Sequence, residues 1–333
     1  MFDRNAKILV VGAGAIGGIT SAILVKEGYD VEVVSKYHSE EDKAIFRVFG
    51  QCGDIESRVK TITAIQDLTE KKDIVFLATK ANDCFDAARE LLPFLHEKSA
   101  VVSLQNGLCE DALETILGIE RTIGCVVEWS ATRHESDSFE MTADGEFIIG
   151  RLDGQDDSRL VTIRQMMGTI VPTRLSSNMR GELYSKLVVN ACINSLSVIA
   201  GKTTGEIVKS KKIRSVFIDI IKEAMIVADK LNISVEPRGG GKLNYYFFMS
   251  GNSVLARLKR HIMVFGIGFK TRKIIPSSLQ SLKRGQKTET AFFNGYISQN
   301  GEKYNIPTPA NDMVVTLISE IEDGQREMGD YLW

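Results

Sequence analysis

A short apolar strand, a tight glycine turn and a helix follow one another within the first two dozen residues of this chain. Ile8 to Val11 is a run suited to a buried parallel strand, and it leads directly into Gly12-Ala-Gly14-Ala-Ile-Gly17. A helical pattern follows through Ile19, Ile23 and Leu24. In that context the glycines match the dinucleotide fingerprint. Gly12 allows the turn, Gly14 lets backbone approach a pyrophosphate, and Gly17 lets helix and strand pack closely. The amides at the helix start, around Ala15 and Ile16, favour the diphosphate charge. The competing reading is a glycine-rich turn that holds no ligand.

At 333 residues and 44% hydrophobic, the chain has material for two cores. The expected division is an N-terminal nucleotide-binding domain over 1–176 and a helical domain over 177–333. With a net charge of −2, nothing points to nucleic acid as a partner. No apolar run approaches the length of a membrane span, and the first residues do not form a signal peptide. The five cysteines are widely spaced, odd in number and form no CxxC, and the four histidines show no metal-ligand spacing. The expectation is a cytoplasmic protein with free thiols, no metal site and no membrane contact.

Asp30 to Val34 reads as the second strand, ending in Ser35-Lys36. An acid at that strand end suits the ribose hydroxyl of NAD, whereas a hydroxyl and a cation suit the 2′-phosphate of NADP. Glu32 sits mid-strand and is not counted as the ribose ligand, so NADP is favoured; Lys36 as a solvated loop charge is the alternative. Asp73 to Ala78 is a further buried strand ending in Thr79-Lys80, and Ala100 to Leu104 another, ending in Gln105-Asn106-Gly107. Lys80 and Asn106 then fall at the carboxyl edge of a parallel sheet, where a dinucleotide lies. Residues 40–72 carry alternating stretches without nameable chemistry, and Thr122 to Val127 and Phe147 to Gly150 read as the closing edge of the domain.

From Gly181 onward the patterns are helical. Lys186, Asn190 and Asn194 stand four residues apart, a single polar stripe on an otherwise apolar helix. Such a stripe faces either solvent or a polar cavity. Burial would lower the lysine pKa towards the range of a useful proton donor, and two asparagines in register favour the cavity. A long amphipathic helix, 212–231, follows. Residues 236–276 look least regular and hold eight Lys or Arg against one acid, Glu236.

These pieces together resemble the ketopantoate reductase (2-dehydropantoate 2-reductase) family over essentially the whole chain. The matching motifs occur in the family's order: Gly12 to Gly17, Thr79-Lys80, Leu104-Gln-Asn-Gly107, Lys186-Leu-Val-Val-Asn190 with Asn194, Ser277-Ser-Leu-Gln280, and Thr288-Glu289 before Asn294-Gly295. The resemblance implies an α/β Rossmann domain with a doubly wound parallel sheet, followed by an all-helical domain of the 6-phosphogluconate dehydrogenase C-terminal type. It implies an active site in the cleft between them, an NADPH cofactor and a homodimer formed through the helical domain. It further implies Lys186 as general acid towards a 2-oxo acid and Glu289 as ligand of the substrate hydroxyl. Asn190, Asn194 and Ser277 would hold the substrate, Asn106 would lie between cofactor and substrate, and Lys80 near the 2′-phosphate.

Two positions depart from the family pattern: Ile274 replaces an asparagine of the substrate site, and Pro276 stands where serine is common. A lost amide donor beside the substrate changes what can bind, and the basic segment 236–276 is expected to form either a lid or pocket wall for a different substrate, or a surface elaboration or dimer contact. The rivals to ketopantoate reduction are a related dehydrogenase with a different hydroxy or amino acid substrate, and a non-catalytic dinucleotide sensor. Retention of both Lys186 and Glu289 argues against the sensor.

Overall fold

The computed structural model describes residues 5–36, 43–239, 241, 243–270 and 275–330. The chain divides into two compact units, Met1–Met179 and Arg180–Trp333.

The N-terminal unit is built on one eleven-stranded sheet in the order β11-β10-β7-β6-β5-β1-β2-β4-β3-β9-β8. Its centre is parallel: β1 (Ile8–Val11), β2 (Val31–Val34), β4 (Ile55–Ile62), β5 (Lys72–Leu77), β6 (Leu95–Ser103) and β7 (Thr122–Val127). β1 lies between β2 and β5, so the winding reverses there and the carboxyl ends of β1 and β5 form the switch point of a Rossmann fold. β3 (Lys43–Gly50), β8 (Ser130–Glu135), β9 (Ser138–Ala143), β10 (Phe147–Arg151) and β11 (Thr173–Leu175) extend it, with antiparallel pairing at β3–β4, β7–β10 and β8–β9. The alternating stretches Phe46 to Phe49 and Val59 to Ile65 fall largely on strands β3 and β4, and Thr122 to Val127 and Phe147 to Gly150 form β7 and β10 next to the β11 edge.

Helices α1 (Ala15–Lys26), α2 (Ala81–Leu91), α3 (Glu110–Leu117) and α4 (Ser158–Met167) connect the strands. Every residue of α1 from Gly17 to Leu24 is buried, which a one-sided amphipathic helix cannot achieve. The reason is that α1 touches β1 to β4 and also the β8–β9 hairpin. Ile19 and Leu24 are fully enclosed, each contributing roughly 1.5–3 kcal/mol by burial.

The C-terminal unit is helical: α5 (Met179–Ala200), α6 (Thr204–Ile207), α7 (Lys211–Lys230), α8 (Tyr245–Met249), α9 (Val254–Lys270), α10 (Ser277–Lys283), α11 (Asn294–Lys303) and α12 (Pro309–Glu322). α5 is long and apolar enough to cross a membrane, yet 78% of its apolar window is buried in the fold, as in a core helix. Tyr184 on α5 is fully buried and donates its hydroxyl to Ala224 O at 2.7 Å, tying α5 to α7. Tyr245 returns a bond of 2.7 Å to Ser185 O.

Much of the stretch expected to be irregular is the 17-residue helix α9. Its inward positions Arg260, Val264 and Gly268 recur every four residues, a helical signal that the basic composition obscured. Arg260 is buried and donates to the carbonyls of Phe248 (3.0 Å), Met249 (2.9 Å), Ser250 (3.3 Å) and Gly251, so it clamps the end of α8. Lys259 stacks over Phe247 with its ammonium 3.4 Å from the ring centroid. Ile274 lies outside the described residues. Pro276 is the N-cap of α10, with φ −61° and ψ 151°, a backbone that proline pre-sets.

Candidate active site

All the candidate cofactor residues of the N-terminal unit follow parallel strands at the same edge. Gly12 follows β1, Ser35 and Lys36 follow β2, Lys80 follows β5 and Asn106 follows β6. Gly12 holds φ +106°, and a Cβ there would meet Thr79 N at 3.0 Å. A Cβ on Gly17 would lie 2.0 Å from Gly12 O, so helix and turn pack in contact. Gly14 is different: a Cβ there would approach only Ala78 O, at 4.0 Å. The fold itself does not need that glycine; the open space in front of it suits an incoming phosphate. No acid stands in the first turn of α1 to oppose an anion. Ala15 and Ile16 supply the first helical amides, and both are half-buried. These residues fit a dinucleotide diphosphate.

Ser35 is buried with its amide bonded to Ile62 O at 2.9 Å, whereas Lys36 is exposed. Glu32 is taken up at the far side of β2 by Lys60 (2.8 Å) and Lys72 (2.9 Å), as its mid-strand position implied. Lys80 is the half-buried N-cap of α2. Asn106 is half-buried beside Gly107, which holds φ +90°. Its neighbour Gln105 carries a role that the motif alone did not reveal. Its amide donates to Leu77 O (2.8 Å) and Thr79 O (3.1 Å), and its Oε1 accepts from Ser103 (2.8 Å). Gln105 therefore locks the ends of β5 and β6 together and fixes the loops bearing Lys80 and Asn106.

In the helical unit, Lys186, Asn190 and Asn194 all lie on α5 at the expected one-turn spacing. Lys186 and Asn190 are half-buried and Asn194 is buried. Asn194 Oδ1 accepts from Ser277 Oγ at 3.3 Å and from Ser278 N at 3.4 Å, which brings two of the candidate substrate residues together at the start of α10. Glu289 is half-buried at the N-cap of a single 3-10 turn, Thr290–Phe292, which leads into α11.

A buried polar chain joins these elements. Ser195 Oγ donates to Asn294 Oδ1 (2.5 Å), Asn294 Nδ2 to Asn311 Oδ1 (2.9 Å), and Asn311 Nδ2 to Glu223 Oε2 (2.7 Å). Glu223 also accepts the Ala310 and Asn311 amides at the N-terminus of α12. Burial pushes the Glu223 carboxyl up, against the pull of those amides. Thr288 N donates to Glu322 Oε1 at 2.7 Å and anchors the segment before Glu289 to α12.

A Rossmann switch point with an open glycine turn, followed by a helical unit carrying a Lys–Asn–Asn stripe, defines the class of dinucleotide-dependent oxidoreductases. Two family models cover most of the chain: ketopantoate reductase PanE/ApbA over residues 8–154, and its C-terminal domain over 178–322. The chain belongs to the ketopantoate reductase family. It is 25% identical over 331 residues to a 2-dehydropantoate 2-reductase of Archaeoglobus fulgidus, covering 96% of this chain and 99% of that one. Among solved structures it superposes on D-mandelate dehydrogenase in a complex with NADH and anilino(oxo)acetate, with a TM-score of 0.80 at 20% identity, over 96% of this chain and 99% of that one. A dimeric ketopantoate reductase from Staphylococcus aureus gives a TM-score of 0.72 at 17% identity, over 96% of this chain and 100% of that one. The family's relatives are oxidoreductases acting on CH–OH groups of small molecules with a nicotinamide dinucleotide.

Proposed function

We propose that this protein reduces a 2-oxo acid to the 2-hydroxy acid with NADPH, 2-dehydropantoate to pantoate foremost, in the cytoplasm. The observation that carries the reading is the Lys186–Asn190–Asn194 stripe on a core helix, half-buried at Lys186 and Asn190 and buried at Asn194, with Ser277 held against Asn194. A nicotinamide dinucleotide held on the glycine turn would supply the hydride for the carbonyl carbon. Lys186 Nζ holds the proton delivered to the carbonyl oxygen, where charge develops in the transition state. Asn190 and Asn194 offer amide donors to the substrate carboxylate, Ser277 turns its hydroxyl from Asn194 Oδ1 to that carboxylate when substrate binds, and Glu289 accepts the substrate hydroxyl. Gly12, Gly14, Ala15, Ile16, Gly17, Ser35, Lys36, Lys80 and Asn106 hold the dinucleotide.

The preference for NADPH is supported by Ser35-Lys36 at the end of β2 and by the engagement of Glu32 with lysines elsewhere. The cytoplasmic reading is supported by five cysteines without a disulfide, four of them buried.

A homodimer is part of the same reading. Leu255, Leu258, Ile262 and Phe265 are all exposed on α9 and stand at the three-then-four spacing of a coiled-coil seam. Such a row is self-complementary across a twofold axis. A second copy of this chain is its occupant, in line with the dimeric Staphylococcus aureus relative.

Lys186→Ala tests the catalytic assignment. Turnover should fall by orders of magnitude while NADPH affinity stays near wild type. Collapse of cofactor affinity would remove Lys186 from the substrate side.

A further inference from the structure

The β8–β9 hairpin is seated on α1. Strand alternation sorts its side chains. Thr132, His134 and Glu140 take the outer face, where His134 Nε2 and the Glu140 carboxylate are 2.7 Å apart. Arg133 stands directly opposite Phe139 in the antiparallel register, and opposed residues project to the same side. Phe139 is fully buried, and its ring lies 2.3 Å from where a Cβ on Gly18 would be. Arg133 therefore faces the beginning of α1. Its inward companions Ala131, Phe139 and Met141 are apolar, so it is the single cation of that face. Arg133 Nη1 reaches towards Ala13 O at 3.5 Å, and Ala13 lies inside the Gly12–Gly17 turn.

We infer that Arg133 is a cofactor-binding residue, its guanidinium serving the dinucleotide diphosphate held on the Gly12–Gly17 turn. The inference rests on the functional reading above. A helix N-terminus offers about half an elementary charge, well short of balancing a diphosphate. A guanidinium carries five donors in a fork that matches phosphate oxygens, so the contact with Ala13 O does not exhaust it. The hairpin thus brings a cation to the turn from 120 residues further along the chain. The strand–turn–helix motif by itself does not supply that charge.

The test is calorimetric titration of wild type, Arg133→Ala and Arg133→Lys with NADPH and, separately, with NADH, at low and high salt. Arg133→Ala should weaken both dinucleotides by ~10- to 100-fold, the range of a charge-assisted contact. Arg133→Lys should recover part of the loss, and the salt dependence of binding should shrink in the alanine variant. Melting temperatures without ligand establish that both variants are folded, and Arg133→Lys carries the test if the alanine variant is not. Unchanged affinity for both dinucleotides would overturn the inference and leave Arg133 as a brace on Ala13. A loss confined to NADPH would also overturn it, by moving the contact to the 2′-phosphate. Failure of the wild type to bind either dinucleotide would instead strike the functional reading itself.

Discussion

Ser195 Oγ donates to Asn294 Oδ1 at 2.5 Å, with both residues fully buried, and joins the helix that carries Lys186 to the helix that follows Glu289. The direction of that bond is set at a distance. The Glu223 carboxylate, when ionised, only accepts, so Asn311 must donate to it, Asn294 must donate to Asn311, and Ser195 must donate to Asn294.

Asn294→Asp inverts one member of this chain. A carboxylate cannot donate to Asn311 Oδ1, and two acceptors are left facing each other in a dry site. We expect a loss of roughly 2–4 kcal/mol in denaturant unfolding. The fall in kcat should exceed any change in NADPH affinity, since the dinucleotide turn lies in the other unit. Wild-type stability in this variant would show that the chain is not maintained in solution.

Gly14→Ala and Gly17→Ala separate ligand space from packing space. A methyl at residue 17 collides with Gly12 O and should lower the melting temperature. A methyl at residue 14 enters open space and should leave the melting temperature unchanged while weakening dinucleotide binding. Equal thermal effects would contradict the assignment of that space to the cofactor.

Glu110, fully buried in the first turn of α3, has its carboxyl raised to about 7 by burial, offset in part by the Ser103 hydroxyl and nearby amides. Neither carboxyl oxygen has a partner at full hydrogen-bond geometry. A folded-state value raised above the ordinary 4.5 means that the native state binds more protons between those two values. Stability therefore falls as pH rises from about 4.5 to about 7, by ~3 kcal/mol at most, and stays lowered above that. Glu110→Gln should flatten this dependence and be more stable than wild type at pH 8, by urea unfolding across the range. A parallel pH profile in the two proteins would refute it.

The exposed row on α9 gives an assembly prediction. Wild type should sediment as a dimer, and Leu258→Glu with Ile262→Glu should sediment as a folded monomer with unchanged circular dichroism. A monomeric wild type would contradict the seam.

What the sequence disclosed follows from how local each signal is. The strand, glycine turn and α1 are contiguous, and their steric demands are met within ten residues, so the strand–turn–helix unit was legible at once. The Lys186–Asn190–Asn194 stripe was legible because helical periodicity alone puts the three on one side. The role of Gln105 was hidden because its partners, Leu77 and Thr79, lie at the end of β5 and in the loop after it. Arg133 was hidden because its meaning depends on β9 pairing with β3 and carrying the hairpin onto α1. α9 was obscured because its apolar seam faces outward and its inward face includes Arg260, a cation satisfied by four carbonyls. Composition therefore suggested a loop where the backbone is helical.

The most direct test of the account is NADPH oxidation by the purified protein with 2-dehydropantoate, run beside NADH and a panel of other 2-oxo acids. Saturable turnover with 2-dehydropantoate, faster with NADPH than with NADH and abolished in Lys186→Ala, is the predicted result. Tight dinucleotide binding without turnover of any 2-oxo acid would contradict it.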